Sequence, residues 1–266
     1  MDTKTRQDVI SAALITKPTD EPEYVADLFK MLHQKTEFDI AVLGCELKSF
    51  LSTRFDVIFF PADKFTTRSN AKIKTHCRLI EGILEDDLPE GDRVEINNIS
   101  GQLQKITHKL KSIFDLCIIP RSLKIPYVSK LAFRRIGLQL AKIEKIPVLF
   151  CPKPERWQRV VIMEVCGDRD YGELSTINFL IKFLGNAIQQ DIPGDIPSIS
   201  IHSINSAKHS SFLESFGIVD ASKMQPEQQA NTVIVVSTKI LGSLLLYSKL
   251  KQILRNWSGG ILIFPS

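Results

Sequence analysis

The chain has 266 residues, of which 44% are apolar and 24% charged, with 13 glycines and 13 prolines. These proportions are typical of an ordinary globular protein and exclude a disordered or fibrous chain. The formal net charge of +4 is too small for the dense basic face that nucleic-acid binding needs. No apolar run approaches the roughly 20 residues of a membrane span, and the polar start MDTKTRQD lacks the apolar centre of a signal peptide. We therefore expect a cytoplasmic protein without membrane insertion or specific nucleic-acid binding.

The cysteines and histidines do not form the pattern of a metal site. The five cysteines are odd in number, and no two have the C-x-x-C spacing. Cys117 and Cys151 lie in apolar runs, where cysteine behaves as a small hydrophobic residue. The nearest histidine pairing is His76 beside Cys77, and adjacent residues of a helix point in different directions. We expect buried thiols and no metal ion.

Short apolar runs alternate with longer amphipathic segments along the chain. The runs that indicate strands are DVISAALI (8–15), FDIAVLG (38–44), FDVIFFP (55–61), RVEINNI (93–99), FDLCIIP (114–120), PVLFC (147–151), RVVIMEV (159–165), SISIHSI (198–204), NTVIVVS (231–237) and GILIFP (260–265). Between them, segments such as 127–145 and 244–257 carry apolar residues at helical spacing. Strands separated by helices predict βαβ units and a mainly parallel sheet.

The two halves of the sequence end in the same way. FDLCIIPRS, a helix and KIPVLFCP close the first half, and NTVIVVSTK, a helix and GGILIFPS close the second. A proline-rich joint, CPKPERW (151–157), lies between them. The repeat and the joint predict two domains, 1–152 with extra N-terminal elements and a shorter one at 156–266, although chance similarity of two βαβ units stays open.

Each half resembles a universal stress protein domain, a five-stranded α/β sandwich of the adenine-nucleotide α-hydrolase-like class. FDLCIIPRS and KIPVLFCPK are similar to the family's last two strands, and QRVVIMEVCGDRDYGELSTINFLIKFLGNA (158–187) is similar to its first strand, turn and helix. The likeness covers 93–187 and 231–266 and is weaker over 1–90 and 205–230. It implies an α/β protein of two tandem Rossmann-like three-layer sandwiches with mainly parallel five-stranded sheets.

The resemblance also bears on how the two halves associate. Domains of this family place the fifth strand at a sheet edge, and two copies commonly associate through those edges. An apolar edge strand promotes aggregation unless something covers it. We expect Val148–Cys151 and Ile261–Phe264 to cover each other, which would form an internal pseudo-symmetric dimer, with homodimerisation as a further expectation.

The family's nucleotide site depends on the glycine pattern G-x2-G-x9-G-[ST] after the fourth strand, where backbone N–H groups approach phosphates. Neither half carries this pattern, since PRSLKIPYVSKLAFRRIG follows the first such strand and STKILGSLLLYSKLK the second. The family also often places an aspartate after its first strand. Cys166 stands at that position in the second half, and ALITKP in the first half has no carboxylate. We therefore expect no bound cofactor, ATP and AMP included.

A few polar residues remain as candidates for a ligand cleft. Beyond the carboxyl ends of predicted strands, where α/β proteins bind ligands, stand Arg121, Ser122, Asp168, Ser237, Thr238 and Lys239. A small anion fits these residues, although surface loops and helix caps have the same composition. The sequence contains no P-loop, no G-x-G-x-x-G and no G-x-S-x-G motif, and we expect no enzyme activity.

These patterns predict a non-enzymatic regulatory protein of stress adaptation that acts on an unidentified protein partner. The stress role is implied by the resemblance alone. Two alternatives stay open. One is a nucleotide or small-anion sensor, and the other is the soluble regulatory tail of a cation/proton antiporter, which hydrophobic helices upstream of this sequence would favour.

Overall fold

A computed structural model describes residues 9–18, 20–36, 38–47, 62–87, 96–101, 108, 110–120, 140–142, 144–152, 157–164, 174–187, 198–203, 217–218, 220–238 and 256–265. The strands are β1 (Ser11–Thr16), β2 (Asp39–Leu47), β3 (Ile96–Gly101), β4 (Leu116–Pro120), β5 (Val148–Cys151), β6 (Arg159–Glu164), β7 (Ser198–Ser203), β8 (Gly217–Ile218), β9 (Thr232–Ser237) and β10 (Gly260–Phe264). The helices are α1 (Pro22–Lys35), α2 (Ala62–Asp87), α3 (Leu174–Ala187) and α4 (Pro226–Ala230), and Ala221–Lys223 form a turn of 3-10 helix.

The apolar runs that predict strands form strands wherever the structure describes them. The run 55–61 lies outside the described residues, as do most of the predicted helices 127–145 and 244–257. The sequence pattern does not predict β8, because its two residues are too few to show an alternation. None of the helices in the described part of the chain is long and apolar enough to cross a bilayer.

All ten described strands belong to one sheet, in the order β3-β2-β1-β4-β5-β10-β9-β6-β7-β8. The first five of these strands run parallel to one another, and so do the last five. Read outward from the centre, the two groups repeat a single strand order. The predicted fold class, a Rossmann-like α/β fold with mainly parallel strands, is confirmed. The division into domains 1–152 and 156–266 stays a prediction, since the sheet is continuous.

β5 and β10 pair in antiparallel fashion at the centre of the sheet. The paired residues are Phe150 with Ile261, Leu149 with Leu262, and Val148 with Ile263. Leu149 also lies beside Ile118 of β4, and Leu262 beside Val235 of β9, and both neighbours are the fifth residue of their repeated runs. An approximate two-fold axis therefore passes through the central leucine pair. The strand pairing predicted from the two closing runs is confirmed.

β5 and β10 lie at the centre of the sheet, far from both of its edges, and this position agrees with closing runs that are apolar on both faces. Leu149 and Leu262 are each 0% exposed, and each strand is flanked on one side by its own half and on the other by the opposite half. A strand covered on both faces buries every side chain, so an alternating pattern is not required. The pairing also removes two apolar edges that would otherwise promote aggregation.

α3 follows β6 of the second half and packs against residues of both halves. Near the start of α3, the ring of Phe179 lies 5.4 Å from the phenylalanine that ends β10. Further along, the ring of Phe183 lies 5.9 Å from that of Phe38, the residue before β2. Asn186 Oδ1 then accepts a hydrogen bond of 3.3 Å from Ile10 N. The helix therefore spans the junction and ties the two groups of strands together.

The central strand pair yields a first testable prediction. Leu262→Asp should lower the melting temperature strongly, because it removes about 1.5–3 kcal/mol of apolar burial and places a carboxylate in a dry site. Leu79→Asp is the matched control, since Leu79 is 54% exposed on α2. Thermal denaturation followed by circular dichroism measures both variants. Equal melting temperatures for the two variants would contradict the central role of the pairing.

A second prediction concerns Gly259, the residue before β10, and compares it with Gly82 of α2. A Cβ at Gly259 would lie 1.9 Å from Gln229 O and 2.3 Å from Thr232 O, so Gly259→Ala should force the backbone of β9 and β10 apart. Gly82, exposed in α2, has no atom within 4 Å of such a Cβ, and Gly82→Ala should stabilise the protein by about 0.5–1 kcal/mol. Urea denaturation should give opposite signs for the two variants. An unchanged or raised free energy of unfolding for Gly259→Ala would show that the close approach at Gly259 is not limiting.

Candidate functional site

The strand order places a topological switch point in each half of the sheet. In the first half, the chain runs outward from β1 to β2 and β3 and then returns to β4 on the other side of β1. In the second half, β6 and β9 have the same relation. Ligands of open α/β sheets bind beyond the carboxyl ends of the strands at such points. The residues that follow β1 and β9 are therefore the candidates for a site.

Three buried polar side chains meet at the carboxyl end of β1. Thr16 is the last residue of β1, Asp20 lies in the loop before α1, and His76 lies on α2, with exposures of 0%, 6% and 5%. Thr16 Oγ1 lies 2.9 Å from His76 Nε2 and 3.2 Å from Asp20 Oδ2. These contacts join the strand, its following loop and a distant helix.

The number of hydrogens that each group can donate determines the direction of each hydrogen bond in this network. Asp20 Oδ2 accepts the backbone N–H of Lys17 at 3.0 Å, and Asp20 Oδ1 lies 3.7 Å from Lys17 Nζ, so the carboxylate is the acceptor of the network. The Thr16 hydroxyl has one hydrogen, which it donates to Asp20. Only an Nε2–H on His76 then completes the contact to Thr16. The hydrogen bonds therefore place a hydrogen on Nε2 of His76, and in the neutral ring Nδ1 carries none.

Burial perturbs both titrating groups of this network. Desolvation raises the pKa of Asp20, while the Lys17 backbone N–H, the Lys17 ammonium and the Thr16 hydroxyl oppose the rise. Desolvation also lowers the pKa of His76. A buried imidazole therefore stays neutral at pH 7, in agreement with the tautomer assigned from the hydrogen bonds.

A hydroxyl beside an imidazole is the pair that nucleophilic catalysis uses, but this pair faces inward. Thr16 is 0% exposed, and its hydroxyl proton goes to Asp20 rather than to the imidazole. Cys77, next to His76, is buried as well, and desolvation raises the pKa of its thiol to about 11. The arrangement can fasten the loop to α2; it offers no accessible nucleophile.

The structure describes two of the six candidate residues predicted from the sequence. Ser237 ends β9 and Thr238 follows it, with exposures of 1% and 5%, so both stand at the switch point of the second half. The other candidates, Arg121, Ser122, Asp168 and Lys239, lie outside the described residues. Because the two halves are antiparallel, the carboxyl ends of β4 and β9 point in opposite directions along the strands. The candidates that follow β4 and those that follow β9 therefore belong to two separate sites.

Sequence reasoning missed the network of Thr16, Asp20 and His76. The loop sequence ALITKP has no carboxylate, but Asp20 follows two residues later and folds back onto Thr16. A usable signal was His76 itself. It stands three residues after Ile73 and four before Ile80, at a position on the apolar face of α2 where the helical spacing predicts an apolar residue. Among the residues that the structure describes, no group of three His, Cys, Asp or Glu side chains could hold a metal ion.

The network yields a third prediction. Thr16→Val keeps the shape of the side chain but leaves His76 and Asp20 buried without their shared partner, which should cost about 1–3 kcal/mol. Thr75→Val is the matched control, because Thr75 is exposed and its hydroxyl donates only to Ala71 O of the same helix. Urea denaturation measures both. A loss for Thr16→Val no larger than for Thr75→Val would contradict the network.

Comparison with known proteins finds similar folds. No protein-family model and no curated protein matches the sequence. A universal stress protein from Archaeoglobus fulgidus DSM 4304 has a TM-score of 0.52 and 12% identity, and the match covers 95% of this chain and 96% of that one. A putative universal stress protein from Pseudomonas aeruginosa UCBPP-PA14 has a TM-score of 0.49 and 13% identity, over 98% of this chain and 95% of that one. At this identity, the archaeal structure shows a shared fold over nearly the whole chain.

Proposed function

We propose that this chain is a tandem universal-stress-protein-like protein that regulates a partner protein in stress adaptation and catalyses no reaction. The observation that carries the proposal is the sheet, in which two groups of five strands share one order and meet at the antiparallel pair β5–β10. The archaeal universal stress protein has a similar fold over 95% of this chain. We place the two domains at 1–152 and 156–266, with the proline-rich joint between them.

The loss of the family's nucleotide site is part of this proposal. Bulky residues such as Leu123 and Ile240 stand in the sequence where the glycine pattern would let backbone approach phosphates. Asp20, the carboxylate that follows β1, is directed to Thr16 and Lys17 and is 6% exposed. A buried carboxylate that already accepts hydrogen bonds within the chain is a poor partner for a nucleotide, which supports the absence of the family's mode of binding.

A regulatory rather than catalytic role is supported by the burial of reactive groups. Thr16, Cys77 and Cys151 are all nearly or fully buried, and burial raises the pKa of the two thiols. A thiol nucleophile needs the opposite, an accessible position and a lowered pKa. A protein without chemistry of its own acts through binding, so we propose a cytoplasmic protein partner and self-association as the routes of regulation.

A small-anion sensor is the second candidate function, and Ser237 and Thr238 favour it. Both residues stand at the carboxyl end of β9, at the switch point of the second half, where their side chains are buried and a ligand would meet mainly the backbone. Backbone N–H groups and hydroxyls at such a point suit phosphate oxygens. The lysine that follows them in the sequence, Lys239, would add a positive charge.

Nucleotide binding distinguishes the two candidates and forms the fourth prediction. We expect titration calorimetry with ATP and AMP to give no saturable binding below about 100 μM, which corresponds to roughly −5.5 kcal/mol. Micromolar affinity would contradict loss of the site. If that affinity disappeared in Ser237→Ala/Thr238→Val but persisted in Thr75→Val, the sensor function would replace the proposal.

Mass spectrometry of proteins that co-purify with the full chain then identifies the partner.

A further inference from the structure

α2 is held to the rest of the fold by one face. Among the side chains of α2 that the structure describes, at 71–86, the buried residues on this face are Ile73, His76, Cys77, Ile80 and Leu84, and most residues between them are exposed. This face packs against α1, β2 and β3. His76 is therefore an ionisable group in the middle of an otherwise apolar contact stripe.

We propose that the network of Thr16, Asp20 and His76 is an acid-sensitive latch that fastens α2 to the loop after β1. With His76 neutral, its Nε2–H donates to Thr16, whose hydroxyl donates to Asp20, and the stripe stays dry. Uptake of a proton at Nδ1 makes His76 an imidazolium within the apolar stripe. Hydration of that charge requires α2 to separate from the sheet, which uncovers the apolar surface beneath it.

The surrounding charges do not compensate an imidazolium at His76. Asp20 is the described carboxylate in the network, and it already faces the Lys17 ammonium at 3.7 Å and accepts the Lys17 N–H. On the elements packed against α2, the described charges are Glu23, Asp27 and Lys30 of α1 and Asp39 of β2, all exposed or half-buried. On α2 itself, Glu81 is exposed and acts on Cys77. The protonated ring therefore gains little inside the fold.

The sign of the pH dependence follows from the direction of the shift. Burial lowers the pKa of His76 from its ordinary 6.5, so its stabilising contribution is fully present above pH 6.5. The contribution is lost as the pH falls from 6.5 through the lower folded pKa. Between these two values, the opening of α2 increases by up to about tenfold per pH unit. Asp20 works in the opposite direction, because burial raises its pKa and the folded state binds its proton more readily. A variant at His76 separates the two effects.

Hydrogen exchange of α2 in the full chain tests the latch. Exchange rates of α2 amides are measured by mass spectrometry from pH 7.5 to 5.0 in the wild type and in His76→Gln, which keeps an N–H donor but cannot become charged. The ratio of wild-type to variant rates cancels the intrinsic pH dependence of exchange. We expect this ratio to rise as the pH falls, by up to about tenfold per unit. His33→Gln is the matched control, since His33 is exposed on α1 and should follow the wild type.

The same pH dependence in the wild type and in His76→Gln would overturn the latch. If His76→Gln is unfolded at pH 7.5, His76→Phe replaces it, because an apolar ring suits the stripe. An NMR titration of His76 in the wild type gives an independent result. A midpoint below 6.5 that coincides with loss of α2 protection supports the latch, whereas protonation with α2 still protected refutes it.

Discussion

The antiparallel pair of β5 and β10 is the interaction on which the rest of the structure depends. Each half supplies a parallel group that ends in a strand with apolar side chains on both faces. Within its own half, such a terminal strand has a hydrogen-bonded neighbour on one side only. Reversing the second half solves this problem, because each terminal strand becomes the neighbour of the other and the sheet continues through the junction.

The reversal also determines where α3 can pack. Since the two halves point in opposite directions, the carboxyl end of β6 and β10 lies level with the amino ends of β1 and β2. α3, the helix that follows β6 in the chain, contacts Phe264 of its own half and also reaches Phe38 and Ile10 of the first half. Phe183 is fully buried there, so the helix contributes to a core that neither half completes alone. The junction therefore rests on a strand pair and on a helix that crosses it.

Much of the fold could be predicted from the sequence, because apolar runs of strand length are a local signal. The pairing of Val148–Cys151 with Ile261–Phe264 was predicted from their apolarity together with the family resemblance, and their register confirms it. The crossing of α3 could not be predicted, since Phe183 and Asn186 look the same in sequence whichever half they contact. The network at Thr16 was hidden for a similar reason. His76 lies 60 residues from Thr16, and only the packing of α2 brings the two side chains within 2.9 Å.

The two halves belong to one chain, and this affects how the residues at the junction of β5 and β10 can change in evolution. In a symmetric pair of identical chains, every substitution near the axis occurs twice, and a residue on the axis must tolerate its own copy. Here each position is encoded once, so the two sides of the junction can change independently. Phe150 faces Ile261, whereas the corresponding pair on the other side of the axis is Val148 with Ile263. One chain can thus keep the approximate two-fold arrangement of its strands while the residues on the two sides of the axis differ.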